Sequence, residues 1–189
     1  MQALIASVSS VTLAEIGDKT QLLTLFLATR FTAKGAIIWA ILLATLINHG
    51  ISAYFGLWLS SLLPENGQTW LIGLSFIAVG FWLLIPDKEE EDGNQLFRYG
   101  AFITSFILFS LAEIGDKTQV ATVILGANFP QTTQVVIGST LGMLLANLPM
   151  IYAGNYLMQR INLDKSRRLA CGLFLILGVA TIGLPMLKI

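Results

Sequence analysis

Six long apolar runs, separated by five short polar breaks, leave this chain almost no residues from which to build a water-facing domain. The runs are roughly Ala3–Ala28, Ala36–Leu63, Gly67–Ile85, Ala101–Ala127, Val135–Met158 and Leu169–Leu187. The breaks are RFTAKG (30–35), PENG (64–67), PDKEEEDGNQ (86–95), NFPQTTQ (128–134) and QRINLDKSRR (159–168). Each run is close to the ~20 residues that carry a helix across a hydrocarbon core. An open sheet edge finds no partners in lipid and the runs lack barrel-like alternation, so helices are the expected element. Composition agrees: 55% of residues are hydrophobic, 12% are charged and the mean hydropathy is +0.75, where a soluble domain carries about a quarter charged residues. The predicted fold class is an all-α integral membrane protein with six transmembrane helices.

Charge narrows the function. Eleven basic and eleven acidic residues cancel, which points away from nucleic acid or another polyanion as partner. The single cysteine, Cys171, excludes an internal disulfide framework and a Cys-based metal cage. The first run lacks a basic leader and has Glu-Ile-Gly-Asp at its centre, so it reads as a span and not as a cleavable signal. Connections 1–2, 3–4 and 5–6 hold Arg30, Lys34, Lys88, Arg98, Arg160, Lys165, Arg167 and Arg168, whereas the termini and the other two connections hold only Lys188. That asymmetry predicts both termini outside the cytoplasm and the acidic stretch 87–92 inside. The acidic run reads as a solvated linker between two halves.

The halves are copies. LAEIGDKTQ at 13–21 returns unchanged at 111–119, an offset of 98 that also pairs Thr24 with Thr122, Tyr54 with Tyr152, Gly56 with Gly154, Phe76 with Phe174 and Gly80 with Gly178. The expected domains are a first repeat over 1–85, a linker over 86–97 and a second repeat over 98–189. Three spans is an odd number, so the second repeat enters the membrane from the opposite side. This is the inverted-repeat plan of many secondary transporters, whose substrate sites lie near the midplane where repeats meet.

The repeated string puts six ionisable groups in the middle of apolar spans. On a helix, Glu15, Asp18 and Lys19 share a face with Cβ atoms ~5–6 Å apart, and Glu113, Asp116 and Lys117 repeat the arrangement. Each such group costs about 2.5–3.5 kcal/mol at mid-depth even on the mildest insertion scale. Four carboxylates and two ammonium groups sum to −2, a charge that one divalent cation or two protons would neutralise. Gly17 and Gly115 give the backbone freedom to break and offer carbonyls, and Thr20, Gln21, Thr118 and Gln119 add further oxygens. All-oxygen ligation suits Mn²⁺, Ca²⁺ or Mg²⁺, whereas zinc and copper prefer nitrogen and sulfur. The structural alternative is that the motif ion pairs merely lock two halves of a non-transporting scaffold; a whole polar string kept in both halves argues against it. An intramembrane aspartyl protease is remote, because Glu15 and Glu113 stand where its G-x-G-D pattern has glycine.

Three further polar residues lie at depth: Asn48 and His49 in the second span and Asn147 in the fifth. The offset pairs His49 with Asn147, so both are accessory candidates for one cavity; His49, the single histidine, can relay protons or lend a nitrogen ligand. A histidine satisfied by bonds between helices is the plainer reading. Pro149 is expected to bend the fifth span and free carbonyls. Trp39, Trp58, Trp70 and Trp82 fall near span ends as interfacial anchors.

E-x-G-D-[KR]-[TS], present twice in a small six-span chain, resembles the signature of the Gdt family of Mn²⁺/Ca²⁺:H⁺ exchangers. Members include bacterial manganese exporters and Golgi and chloroplast proteins. By position, the family's motif residues fall on Glu15, Gly17, Asp18, Lys19 and Thr20, and on Glu113, Gly115, Asp116, Lys117 and Thr118. The resemblance implies a secondary transporter with no cofactor, whose partners are a divalent metal ion, protons and the bilayer; an oligomer is compatible with it. It implies Glu15, Asp18, Glu113 and Asp116 as metal ligands, and Lys19 and Lys117 as tuning groups. The short linker and the lack of a targeting extension look like the bacterial branch, so export of Mn²⁺ across the bacterial inner membrane is the expected role. A Ca²⁺/H⁺ exchanger of the same architecture is the nearest alternative.

Overall fold

Apolar helices in lipid gain little by burying more apolar surface against one another, so their packing rests on close approach and on polar contacts. The computed structural model describes residues 1–85, 96–160 and 162–186, and shows how this chain achieves both. The acidic stretch 87–92 lies outside the described residues. In chain order the helices are α1 (Gln2–Glu15), α2 (Lys19–Arg30), α3 (Lys34–Ser61), α4 (Glu65–Trp82), α5 (Gly100–Glu113), α6 (Lys117–Asn128), α7 (Thr132–Arg160) and α8 (Leu163–Met186), with a 3₁₀ turn over Leu96–Tyr99. The described fold is all-helical. Helix α3 and the segment Thr132–Gly154 of α7 are each long and apolar enough to cross a membrane; Phe97–Glu113 and Lys117–Asn128 pass the same criterion together, bent by 68°.

The first and fourth apolar runs are therefore not single helices. Each breaks inside the repeated string, because Gly17 (φ 85°) and Gly115 (φ 74°) take the left-handed conformation. A side chain there would cost about 1–2 kcal/mol, which is why glycine holds both places. The expected shared helix face for Glu15, Asp18 and Lys19 is replaced by a different arrangement: Glu15 closes α1, and Asp18 is the N-cap of α2.

Packing is reciprocal between the halves. Helix α1 lies on α7 and α5 on α3, while α6 crosses α3 and α2 crosses α7. Helices α4 and α8 pack on each other, and there Phe76 meets its own repeat counterpart, Phe174, edge to face at 5.9 Å. The α3–α6 crossing is the tightest: a Cβ on Gly56 would run into the Val123 carbonyl, and one on Gly126 into the Ala53 backbone. Helix α7 contains Pro149 and kinks at Ala153 (φ −136°, ψ 21°). All four tryptophans are exposed on the outer surface.

Candidate metal centre

Each break sets the C-terminal end of one helix against the N-terminal end of the next. Partial negative charge at the first and partial positive charge at the second make such a junction an ion site. The motif glutamines close both breaks. Gln21 Oε1 accepts the Gly17 N–H at 2.8 Å, and Gln119 Oε1 accepts the Gly115 N–H at 2.7 Å. Gln21 also donates to the Ala146 carbonyl of α7 at 2.8 Å. Their oxygens, expected as spare ligands, are thus engaged with backbone.

The two breaks come together. Glu15 and Asp18 from the first half and Asp116 from the second each present one carboxylate oxygen, all within 4.8 Å of one another. Glu15 is fully buried and both aspartates are 4% exposed. Asn147 of α7 holds Glu15: its amide donates to Glu15 Oε1 at 3.2 Å and to the Met143 carbonyl at 3.1 Å, and it accepts from Thr24 Oγ1 at 2.8 Å. Glu15 Oε2 and the buried Thr20 Oγ1 have no hydrogen-bond partner. A buried carboxylate oxygen without a donor is costly in a low dielectric, and a cation or a proton at that atom removes the cost.

Glu113 lies outside this trio. Thr45 Oγ1 donates to its Oε1 at 2.9 Å, and Asn48 Nδ2 donates to its Oε2 at 3.0 Å and to the Ser110 carbonyl at 3.2 Å. Asp116 caps α6, with Oδ2 accepting from Thr118 N–H at 3.2 Å and from Thr118 Oγ1 at 2.9 Å. The two lysines part company. Lys19 stands 3.9 Å from Asp116 across the repeat boundary, while the buried Lys117 donates to the Ile85 carbonyl at 2.6 Å. His49 is wholly buried, and neither ring nitrogen has a hydrogen-bond partner.

Sequence reasoning passed over Thr45 and gave Thr24 no role. Thr45 stands four residues before His49, on the buried polar stripe of α3 that continues to Ser52. Thr24 was visible as one of the pairs that the offset aligns. Periodicity of polar residues within an apolar helix was the signal for both.

Paired helix breaks carrying buried carboxylates, among helices of membrane length, define a cation-handling membrane protein. The chain belongs to the divalent cation/proton antiporter GDT1 family, whose model matches residues 3–91 and 101–184. It is 45% identical over 182 residues to a Vibrio cholerae protein named "Putative manganese exporter", covering 96% of this chain and 90% of that one. A GDT1-like protein of Synechocystis is 26% identical over 196 residues, covering 92% of each chain. A GDT1-like protein of Arabidopsis thaliana is 26% identical over 212 residues, covering 98% of this chain and 72% of that one. No solved structure matches. The protein is a cation transporter of the membrane, not an enzyme.

Proposed function

We propose that the protein exports Mn²⁺ from the cytoplasm in exchange for protons, by alternating access at a carboxylate site shared between two inverted three-span repeats. The observation that carries this is the buried meeting of Glu15, Asp18 and Asp116 from opposite halves. Two oxygens on opposite sides of a hard cation such as Ca²⁺ lie about 4.8 Å apart, twice a ~2.4 Å bond, so three oxygens already within that distance of one another can close on one divalent ion. Glu113 completes the ligand set when it leaves Thr45 and Asn48. The repeats are 1–85 and 98–189, joined by the linker 86–97, and both termini face away from the cytoplasm of a bacterial cell. The reciprocal packing of the halves supports this plan, and the name of the Vibrio relative supports manganese as the cargo.

Proton coupling follows from the charge. After the ion leaves, four carboxylates and two lysines carry −2 in a poorly solvated cavity, and returning that charge across the membrane is expensive. Two protons remove it. Lys19 beside Asp116 keeps the emptied site from being more negative still.

The test is Mn²⁺ flux through the purified protein in liposomes. Mn²⁺ movement is expected to drive protons the opposite way and to quicken when the receiving side is made more acidic. Asp18→Asn and Asp116→Asn each lower the flux at least tenfold in folded, inserted protein. Flux that ignores a collapsed pH gradient would sink the exchanger. The all-oxygen trio fits Ca²⁺ as well, so Ca²⁺ is run in competition, and preference for it would move the protein to the Ca²⁺/H⁺ reading.

A further inference from the structure

The offset that aligns the repeats places His49 on α3 where Asn147 stands on α7. Asn147 is the residue that touches Glu15. By the same offset, the counterpart of Glu15 for His49 is Glu113. Residues four apart on a helix share a face, so His49 sits one turn beyond Thr45, whose hydroxyl reaches Glu113. One further turn along, Ala53 meets Gly126 and Gly56 meets Val123, both on α6. His49 is therefore on the face of α3 that packs on α6, the helix that Asp116 caps.

Both oxygens of Glu113 already accept hydrogen bonds, from Thr45 and from Asn48. The buried imidazole has no partner at either nitrogen. An imidazole sealed from water with a free lone pair has the chemistry of a metal ligand. Resting on the transport reading above, we propose that His49 gives the transported ion a nitrogen ligand on the Glu113 side of the site. The consequence is selectivity. Ca²⁺ takes oxygen ligands and gains little from imidazole, whereas first-row transition ions accept nitrogen readily. One nitrogen in an otherwise oxygen site tilts it toward Mn²⁺.

The chain has one histidine, which makes the test unambiguous in full-length protein purified without a histidine tag. Electron spin-echo modulation of bound Mn²⁺ is expected to show imidazole nitrogen, with a pattern that changes when the protein is grown on isotope-labelled histidine. His49→Asn, which installs the counterpart's side chain, and His49→Gln both remove that modulation. They lower Mn²⁺ affinity about tenfold while leaving Ca²⁺ affinity within about twofold, the span expected when a single ligand or its support is lost. Bound Mn²⁺ without imidazole modulation in the wild-type protein overturns the proposal and leaves the transport reading standing. Equal loss of Mn²⁺ and Ca²⁺ affinity in both variants overturns it too. Absence of any Mn²⁺ binding removes both.

Discussion

The two copies of LAEIGDKTQ are identical in sequence, and their backbones follow suit. Both break at glycine in the left-handed region, both close the break with a glutamine bond to that glycine, and both restart at an aspartate. Their side chains do not follow suit. Glu15 joins two aspartates and is held by an amide, while Glu113 stands apart on a hydroxyl and an amide. Lys19 faces Asp116, and Lys117 holds the end of the Ile85 segment. The cause lies in the surrounding helices. Thr45, Asn48 and His49 around the second break correspond to Met143, Ala146 and Asn147 around the first. Local sequence determines the break; the crossing helix determines which glutamate meets the two aspartates. A site built from two such copies is asymmetric, as the alternating access proposed for it requires.

The comparison is broken most completely at its tightest contact. Gly56 and Gly154 are counterparts, but a Cβ on Gly56 would strike the Val123 backbone, whereas one on Gly154 would meet Leu25 Cδ1 at 2.5 Å. Backbone at a helix crossing cannot move aside, and a leucine tip can. Gly56→Ala is expected to remove most folded protein from the membrane fraction, and Gly154→Ala to leave yield within about twofold of wild type. Equal yields would mean that the α3–α6 crossing has room for a methyl group at Gly56.

A smaller difference separates the glutamines. Gln21 satisfies the Gly17 N–H and also the Ala146 carbonyl, while Gln119 is bonded to the Gly115 N–H at an exposed position. Gln21→Ala leaves two partners unsatisfied at a largely buried position and should cost about 2–6 kcal/mol, at 1–3 kcal/mol for each orphan. Gln119→Ala should cost about 1 kcal/mol, because water replaces the lost acceptor. Thermal unfolding in detergent reads the order, and a reversal would show that the first break is the more exposed.

Much of this was legible in the sequence, and the boundary of legibility is physical. The duplication and the glycine breaks follow from an exactly repeated string and from glycine's freedom at positive φ. The shared helix face of Glu15 and Asp18 did not survive, because that spacing assumed the helix continued through the glycine. Thr45 and the separation of Glu113 from the trio depend on how α3 crosses α5, which no local spacing encodes. Gln21 read as a further oxygen lining the site, but an unpaired backbone N–H at the break claims it first.

The finest distinction concerns the motif threonines. Thr118 Oγ1 donates to Asp116 Oδ2 at 2.9 Å, whereas Thr20 Oγ1, fully buried in the same motif, has no partner. Valine matches threonine in shape and lacks the hydroxyl. Thr118→Val therefore loses a hydrogen bond to a carboxylate, about 1.5–3 kcal/mol where the acceptor is charged. Thr20→Val removes an unsatisfied polar atom, so the metal-free protein should unfold at the same temperature or slightly higher. Adding Mn²⁺ sharpens the contrast. A ligand that binds the folded state raises its stability by an amount set by affinity. If Thr20 Oγ1 faces the ion beside Glu15, the Mn²⁺-induced rise in unfolding temperature shrinks in Thr20→Val although its metal-free stability does not fall. A full Mn²⁺-induced rise in Thr20→Val would place that hydroxyl outside the coordination sphere and leave the carboxylates to hold the ion without it.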